Sequence, residues 1–189
     1  HVMKRRFLSV AGTLALSTTM LAGGANAFEL TSPDILPGRT IPREFVFNGF
    51  GCTGQNVSPA MAWTNPPAGT KSFALMVHDP DAPTGGAGFW HWVVINLPGT
   101  AGGLAKGAGA PDGKALPPGA MHVATDFGSP GWGGPCPPAG DAAHRYQFTV
   151  YALKVEKLEL PLDPTASLTG FMINQNAIAK ATFTGLYGR

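Results

Sequence analysis

The apolar positions of the chain fall in short runs separated by stretches rich in glycine and proline, a pattern that predicts strands joined by shaped loops. Phe73-Ala-Leu-Met-Val77 is apolar at every position and bounded by turn formers, so it is predicted to be a strand buried on both faces. His91-Trp-Val-Val-Ile-Asn-Leu97 predicts a second central strand, stopped by Pro98-Gly99, and residues 145–153 alternate as a third. Shorter extended pieces are expected at Phe45–Phe47, from Pro59 to Trp63, around Met121–Thr125, at Leu158–Leu162 and in a last strand at Ala181–Tyr187. Helical spacing occurs from Ser167 to Ala181, where Leu168, Phe171, Met172, Gln175 and Ile178 share a stripe. Residues 28–42 form a proline-punctuated lead-in, Asn48–Gln55 a glycine loop and Asn65–Gly69 a turn. The Gly/Ala/Pro interval from Gly99 to Gly140 is long for a compact domain, and such loops are usually functional. No internal repeat or linker divides residues 28–189, which are read as one domain.

The first apolar run has a different character. Lys4-Arg5-Arg6 precedes a mostly apolar Phe7–Leu21 stretch, and Ala25-Asn26-Ala27 supplies a small-x-small cleavage pattern. Residues 1–27 are therefore predicted to be an export signal, with His1 and Val2 lying ahead of the expected initiator Met3. Gly12, Thr13 and Ser17–Thr19 interrupt the run before it reaches membrane-spanning length. The Lys-Arg-Arg-Phe-Leu string leaves both the general secretory and the twin-arginine routes open. The expected destination is the periplasm or the exterior. This reading redistributes the charge: the chain has a net charge of +2, yet three of its 13 cations and none of its 11 acids lie within residues 1–27. The remainder is slightly acidic and has no basic cluster, which argues against a nucleic-acid partner. It keeps all 18 prolines and most of the 26 glycines, in line with short strands and many loops.

Export changes the reading of the two cysteines, Cys52 and Cys136. An oxidising compartment favours a disulfide between them, which would close a loop worth about 4–5 kcal/mol on chain-entropy grounds. Two buried thiols, or a nucleophilic cysteine, are the alternatives.

Alternation along the predicted strands places the ionisable groups. Asp79 continues the face of Phe73, Leu75 and Val77; His91 lies with Val93 and Ile95; His144 and Tyr146 lie with Phe148 and Val150. Three such faces converging at one rim would form a pocket with Asp79, His91, His144 and Tyr146 at its mouth and Gly133–Pro138 as a stiff wall. Imidazoles and a phenol beside a carboxylate suit a phosphate or carboxylate ligand. Asp81, within Asp79-Pro-Asp-Ala-Pro83, is expected to shape the turn. A metal held by Asp79, Asp81, His91 and His144 is a weaker alternative, since no HExxH, H-x-H or CxxC spacing fixes it. Gly49-Phe-Gly-Cys-Thr-Gly54 matches a dinucleotide fingerprint in letters only, because Pro59 falls where the helix should run. Gly113-Lys114 lacks the other residues of a P-loop, and no G-x-S-x-G elbow is present.

Four ordered motifs together resemble a known family. Asn56-Val-Ser-Pro59 with Trp63, Asp79-Pro-Asp-Ala-Pro83, His91-Trp-Val-Val-Ile-Asn96, and Gly134-Pro-Cys-Pro-Pro138 with His144-Arg-Tyr146 resemble the phosphatidylethanolamine-binding proteins. The likeness is greatest to the bacterial Raf-kinase-inhibitor-like branch of YbhB/YbcL type, exported members included. The resemblance implies a mainly β fold, a large antiparallel sheet packed on a smaller second sheet, with one or two short helices near the C-terminus. It also implies a small pocket for phosphate or a phospholipid headgroup, with Asp79, His91, His144 and Tyr146 at pocket positions and Gly134, Pro137 and Pro138 in the pocket loop. Thr84-Gly85 replaces the arginine-bearing continuation of eukaryotic members, so their kinase-binding surfaces do not transfer. Both cysteines are present as in exported relatives, which favours a bridge between the Cys52 loop and the pocket loop.

Three functional classes follow. The first is a binding protein for a small anion or lipid headgroup, without cofactor, metal or transmembrane segment, and with homodimer formation open. The second is an inhibitor of a protease or kinase acting through the Gly99–Gly140 loops. The third is a hydrolase using His91 or His144 as general base, for which no activated nucleophile is apparent.

Overall fold

The computed structural model describes residues 26–189, so the predicted export signal lies almost entirely outside the described residues. The strands are β1 (Glu29–Thr31), β2 (Asn48–Gly49), β3 (Cys52–Thr53), β4 (Met61–Thr64), β5 (Ser72–Asp79), β6 (Phe89–Pro98), β7 (Gly103–Leu104), β8 (Met121–His122), β9 (His144–Leu153) and β10 (Ala177–Tyr187), with α1 (Ala166–Asn176) between the last two. A five-stranded sheet of order β10-β9-β5-β6-β8 is antiparallel throughout. A three-stranded sheet, β1-β4-β7, and the β2-β3 hairpin complete the described strands.

β5 is at the centre of the large sheet and is buried on both sides, as its unbroken apolar run requires. Phe73, Leu75 and Val77 join Trp92, Val94, Phe148 and Val150 in a core that also takes Leu30, Met61, Trp63 and Leu104 from the small sheet. Ala74 and Met76 face the other way, with Val93, Ile95, Tyr151 and Leu153, and meet Ala166 and Ile173 of α1. Each large side chain in this double core contributes about 1.5–3 kcal/mol of burial. The result is three layers, with the small sheet on one face of the large sheet and α1 on the other.

Several expectations are corrected. Phe45–Phe47 is not a strand: Arg43–Phe45 forms a single 3-10 turn, and pairing begins at Asn48. Leu158–Leu162 forms no strand; it is irregular and donates the Leu158 amide to the Asn96 side chain. The helix stops at Asn176 rather than Ala181, because residues from Ala177 onward pair with β9, and that ladder overrides local helical preference. The helix also faces the opposite way to the predicted stripe. Its buried residues are Ala166, Thr169, Gly170 and Ile173, whereas Leu168 and Phe171 are exposed, as is Ile178 in β10. A Cβ at Gly170 would lie 3.4 Å from Met76 Cε, an ordinary packing distance. At the start of α1, Thr165 Oγ1 accepts the Leu168 amide at 3.0 Å.

Candidate ligand-binding site

β5, β6 and β9 carry their ionisable ends to the same rim, and a bulge decides which ones meet. Val77 pairs with Trp92 and His78 with Trp90, leaving His91 as one extra residue on β6. An extra residue breaks the alternation. Trp92 and Val94 point into the small-sheet core, while Val93 and Ile95 face α1. His91 therefore does not share the face of Val93 and Ile95, as strict alternation predicted. It turns to the small-sheet side, beside Phe89 and within 5.1 Å of the Tyr146 ring. Without the bulge, Trp90 would stand at the rim and His91 beside His78 on the far face.

The cavity so formed has a volume of about 250 Å³ and is lined by Asp79, His91, His144, Tyr146, Pro137 and Pro138, together with Phe50, Phe89 and Phe127. Four of the predicted polar residues are thus gathered in one place, and all four are buried. Asp79 Oδ1 accepts the Asp81 amide at 2.8 Å, and its Oδ2 meets His144 Nδ1 at 2.7 Å. His144 Nε2 meets Asp141 Oδ2 at 2.9 Å. A carboxylate beside each ring nitrogen favours the doubly protonated ring of His144. Burial opposes that charge, but the hydrogen bonds to Asp79 and Asp141 outweigh it and raise its pKa.

His91 has the opposite character. Its Nδ1 lies 2.7 Å from the Gly133 carbonyl oxygen, so Nδ1 carries the hydrogen and Nε2 is left for a ligand. Burial pushes its pKa down to about 4, against the hydrogen bond to Gly133 and the charge of Asp79. Two histidines therefore share one rim, one with its proton affinity lowered by burial and one with it raised by its acidic neighbours. Burial also pushes the Tyr146 phenol up, and its hydroxyl has no hydrogen-bond partner although the residue is fully buried.

Of the remaining predicted residues, Cys136 belongs to the lining and the others stand behind it. Asp81 does not line the cavity. Its carboxylate takes the Arg145 guanidinium at 2.9 and 2.8 Å and the Arg145 amide at 2.9 Å, which holds its pKa down at about 2. Gly134 also lies outside the lining. Its amide donates to Asn56 Oδ1 at 2.7 Å, and a Cβ there would collide with the Phe45 carbonyl oxygen. Trp132 Nε1 donates to that same carbonyl at 3.1 Å, so Asn56, Phe45 and Trp132 fix the course of the pocket loop. Cys52 and Cys136 are bridged, with Cα atoms 5.9 Å apart, which ties the β2-β3 hairpin to the loop at the pocket edge. Among the described residues, no group of three His, Cys, Asp or Glu side chains is arranged to hold a metal ion.

Sequence reasoning missed Phe50, Phe89, Phe127 and Asp141. Phe89 follows from the bulge, and Asp141 stands three residues before His144, a spacing that would have flagged a local ion pair. Phe127 carries no sequence signal that separates it from a core aromatic. A larger cleft of about 540 Å³ lies at the β8 edge, lined in part by Ile95, Met121, His122, Leu158 and Leu160, and none of Asp79, His91, His144 and Tyr146 reaches it.

Residues 31–188 match the phosphatidylethanolamine-binding protein family. The chain belongs to that family. Within it, the chain is 48% identical to the UPF0098 protein YbcL of Escherichia coli K12 over 179 residues, 93% of this chain and 97% of that one. It is 43% identical to the UPF0098 protein YbhB of the same organism, covering 84% of this chain and 99% of YbhB. The crystal structure of E. coli YbcL superposes with a TM-score of 0.83 at 49% identity, over 86% of this chain and 98% of that one. A phosphatidylethanolamine-binding protein homologue from Chlamydia trachomatis, CT736, follows with a TM-score of 0.72 at 32% identity, over 87% and 99% of the two chains. The YbhB/YbcL branch and the two-sheet fold are therefore those of this chain.

Proposed function

We propose that this phosphatidylethanolamine-binding protein is an exported ligand-binding protein whose rim cavity takes a small anion, phosphate or a phospholipid headgroup. The observation that carries this reading is the Tyr146 hydroxyl, buried and without a partner on a residue that lines the cavity. Leaving such a donor unsatisfied costs about 1–3 kcal/mol, which an anionic oxygen would relieve. His91 Nε2, which carries no hydrogen, borders the same space and can accept from the P–OH of a monoprotonated phosphate, while the Tyr146 hydroxyl donates to an anionic oxygen.

Binding is favoured over hydrolysis by what the histidines touch. His91 is held by a backbone carbonyl and His144 by two carboxylates, and no serine or threonine hydroxyl bonds to either ring. The disulfide removes both thiols as nucleophiles. Export is supported by the leader-like residues 1–27 and by that disulfide. Among the described residues no helix is long and apolar enough to cross a membrane. A protease or kinase partner meeting the Gly99–Gly140 loops would border the same rim through Phe127.

The test is an NMR titration of the imidazole resonances. Inorganic phosphate and phosphoethanolamine are expected to shift His91 and His144 saturably. If neither resonance moves with either anion, the reading fails.

A further inference from the structure

A second group of buried polar atoms lies away from the rim cavity, beneath the Gly99–Gly140 interval. His122 of β8 pairs with Val94 of β6, and so shares the small-sheet side of the large sheet with Val94 and Trp92. The Trp92 and His122 ring centroids are 6.4 Å apart. Trp92 is completely buried and its Nε1 has no hydrogen-bond partner; both ring nitrogens of His122 are likewise sealed from solvent and unpartnered. A neutral imidazole keeps one acceptor nitrogen, which suits a site beside an indole donor. A protonated ring would set three N–H groups together with no acceptor among them.

The cover over this site is built to move on its own. The Gly113 amide donates to the Ala110 carbonyl, Leu116 to Gly113 and Ala120 to Pro117, at 3.1, 3.2 and 3.1 Å, so the backbone here makes only local turns. Among the described backbone hydrogen bonds, none ties residues 111–119 to a strand, and Leu116 is the side chain of this stretch that packs against the core. Gly113 and Gly119 are left-handed, at φ 67° and 86°. Stretches with so few ties open more readily than the sheet beneath them. A Cβ at Gly113 would lie 4.0 Å from His122 Nδ1, so the turn rests on the imidazole ring.

The charges around His122 come from two elements. Asp112, on the cover, favours protonation, and its Oδ1 accepts the Lys114 amide at 3.0 Å. Lys157, Glu159 and Asp163 border the outer cleft that His122 also lines, while Trp92 and Val94 bring no charge from β6. Burial outweighs Asp112 and lowers the pKa of His122.

We propose that His122 is an acid-sensitive latch: neutral, it sits beside Trp92 with residues 111–119 closed over it; protonated, it releases that stretch and turns its N–H groups to solvent and to Asp112. The closed form takes a proton less readily than the open one, so opening is favoured as pH falls below the ordinary histidine range. A Cβ at Gly131 would lie 2.6 Å from the Gly109 carbonyl oxygen and 3.1 Å from Pro111 Cα, so the cover lies directly against the loop that leads to Gly133. Release in acid therefore removes support from one side of the pocket loop.

Native-state hydrogen exchange followed by NMR tests this on the wild type and on His122→Gln and His122→Leu. Gln keeps an acceptor for Trp92 and Leu keeps the bulk, and either suffices if the other does not fold. In the wild type the opening constant at the Gly113 and Leu116 amides, corrected for the intrinsic rate of exchange, should rise between pH 7.5 and 5 by up to about thirtyfold. The amides of β5, which exchange through global unfolding, should stay better protected at every pH. Both variants should lose most of the rise at Gly113 and Leu116. An equal rise in the variants overturns the latch, as do loop amides protected as well as those of β5 or unprotected at pH 7.5.

Discussion

At the scale of single residues, the cavity pairs two histidines with opposite proton affinities. His144 lies between two carboxylates and holds its proton more tightly than usual; its contribution to stability is complete below the ordinary histidine range and is lost as pH rises through its folded value. His91 is buried against a carbonyl and a phenol, and its pKa lies at about 4. In the unfolded chain it takes a proton near pH 6.5, so between about pH 6.5 and 4 the unfolded state binds more protons and stability falls as pH falls. Over that window His91 is worth about 3 kcal/mol. His91→Gln keeps a donor for the Gly133 carbonyl but has no ring to protonate. Its denaturation midpoint is expected to fall less than the wild type's between pH 6.5 and 4, and parallel profiles would contradict the assignment. Asp79, His91, His144 and Tyr146 were legible in the sequence because each stands at a strand end beside an apolar run. Phe127 and Asp141 were not, because their roles arise from long loops whose path no local pattern specifies.

At the scale of elements, the bulge in β6 and the β2-β3 hairpin shape the rim. Strict alternation gathered the right residues, yet it assigned His91 to the wrong face; only the extra residue between the Trp92 and Trp90 pairs brings it into the cavity. A bulge depends on register with β5 and leaves no mark in the β6 sequence itself. The helix was misread for a related reason. Leu168 and Phe171 of the predicted stripe are exposed, and the buried face joins Ile173 to Ala166, Thr169 and Gly170, small residues that hydrophobic spacing does not weigh. The disulfide was legible from the predicted export signal and the presence of two cysteines, and its partners join the hairpin to the pocket loop. Removing it with Cys52→Ser and Cys136→Ser together is expected to cost about 4 kcal/mol by chemical denaturation. The double variant should also weaken anion binding, because the loop carrying Pro137 and Pro138 loses its anchor. A double variant as stable as the wild type would show that the hairpin and pocket loop hold together without the bridge.

At the scale of the whole molecule, charge and composition divide the chain. The basic residues of the first segment give the sequence its net positive charge, while the domain that follows is slightly acidic and carries the ionisable groups of its cavity buried at a strand rim. The two-sheet fold was expected from the family resemblance, while run length pointed to β5, buried on both faces, and alternation to its neighbours. The extent of β10 was not readable, since the apolar pattern from Ser167 to Ala181 serves a helix and a strand in turn.

The central claim is that the buried Tyr146 hydroxyl serves a bound anion. Tyr146→Phe removes only that oxygen, so the most direct measurement is calorimetric titration of inorganic phosphate into the wild type and this variant, with thermal unfolding in parallel. The account predicts saturable binding by the wild type, a loss of about tenfold or more in the variant, and an unfolding temperature at or above the wild type's, since a buried hydroxyl without a partner is removed. Unchanged phosphate affinity in Tyr146→Phe would contradict it.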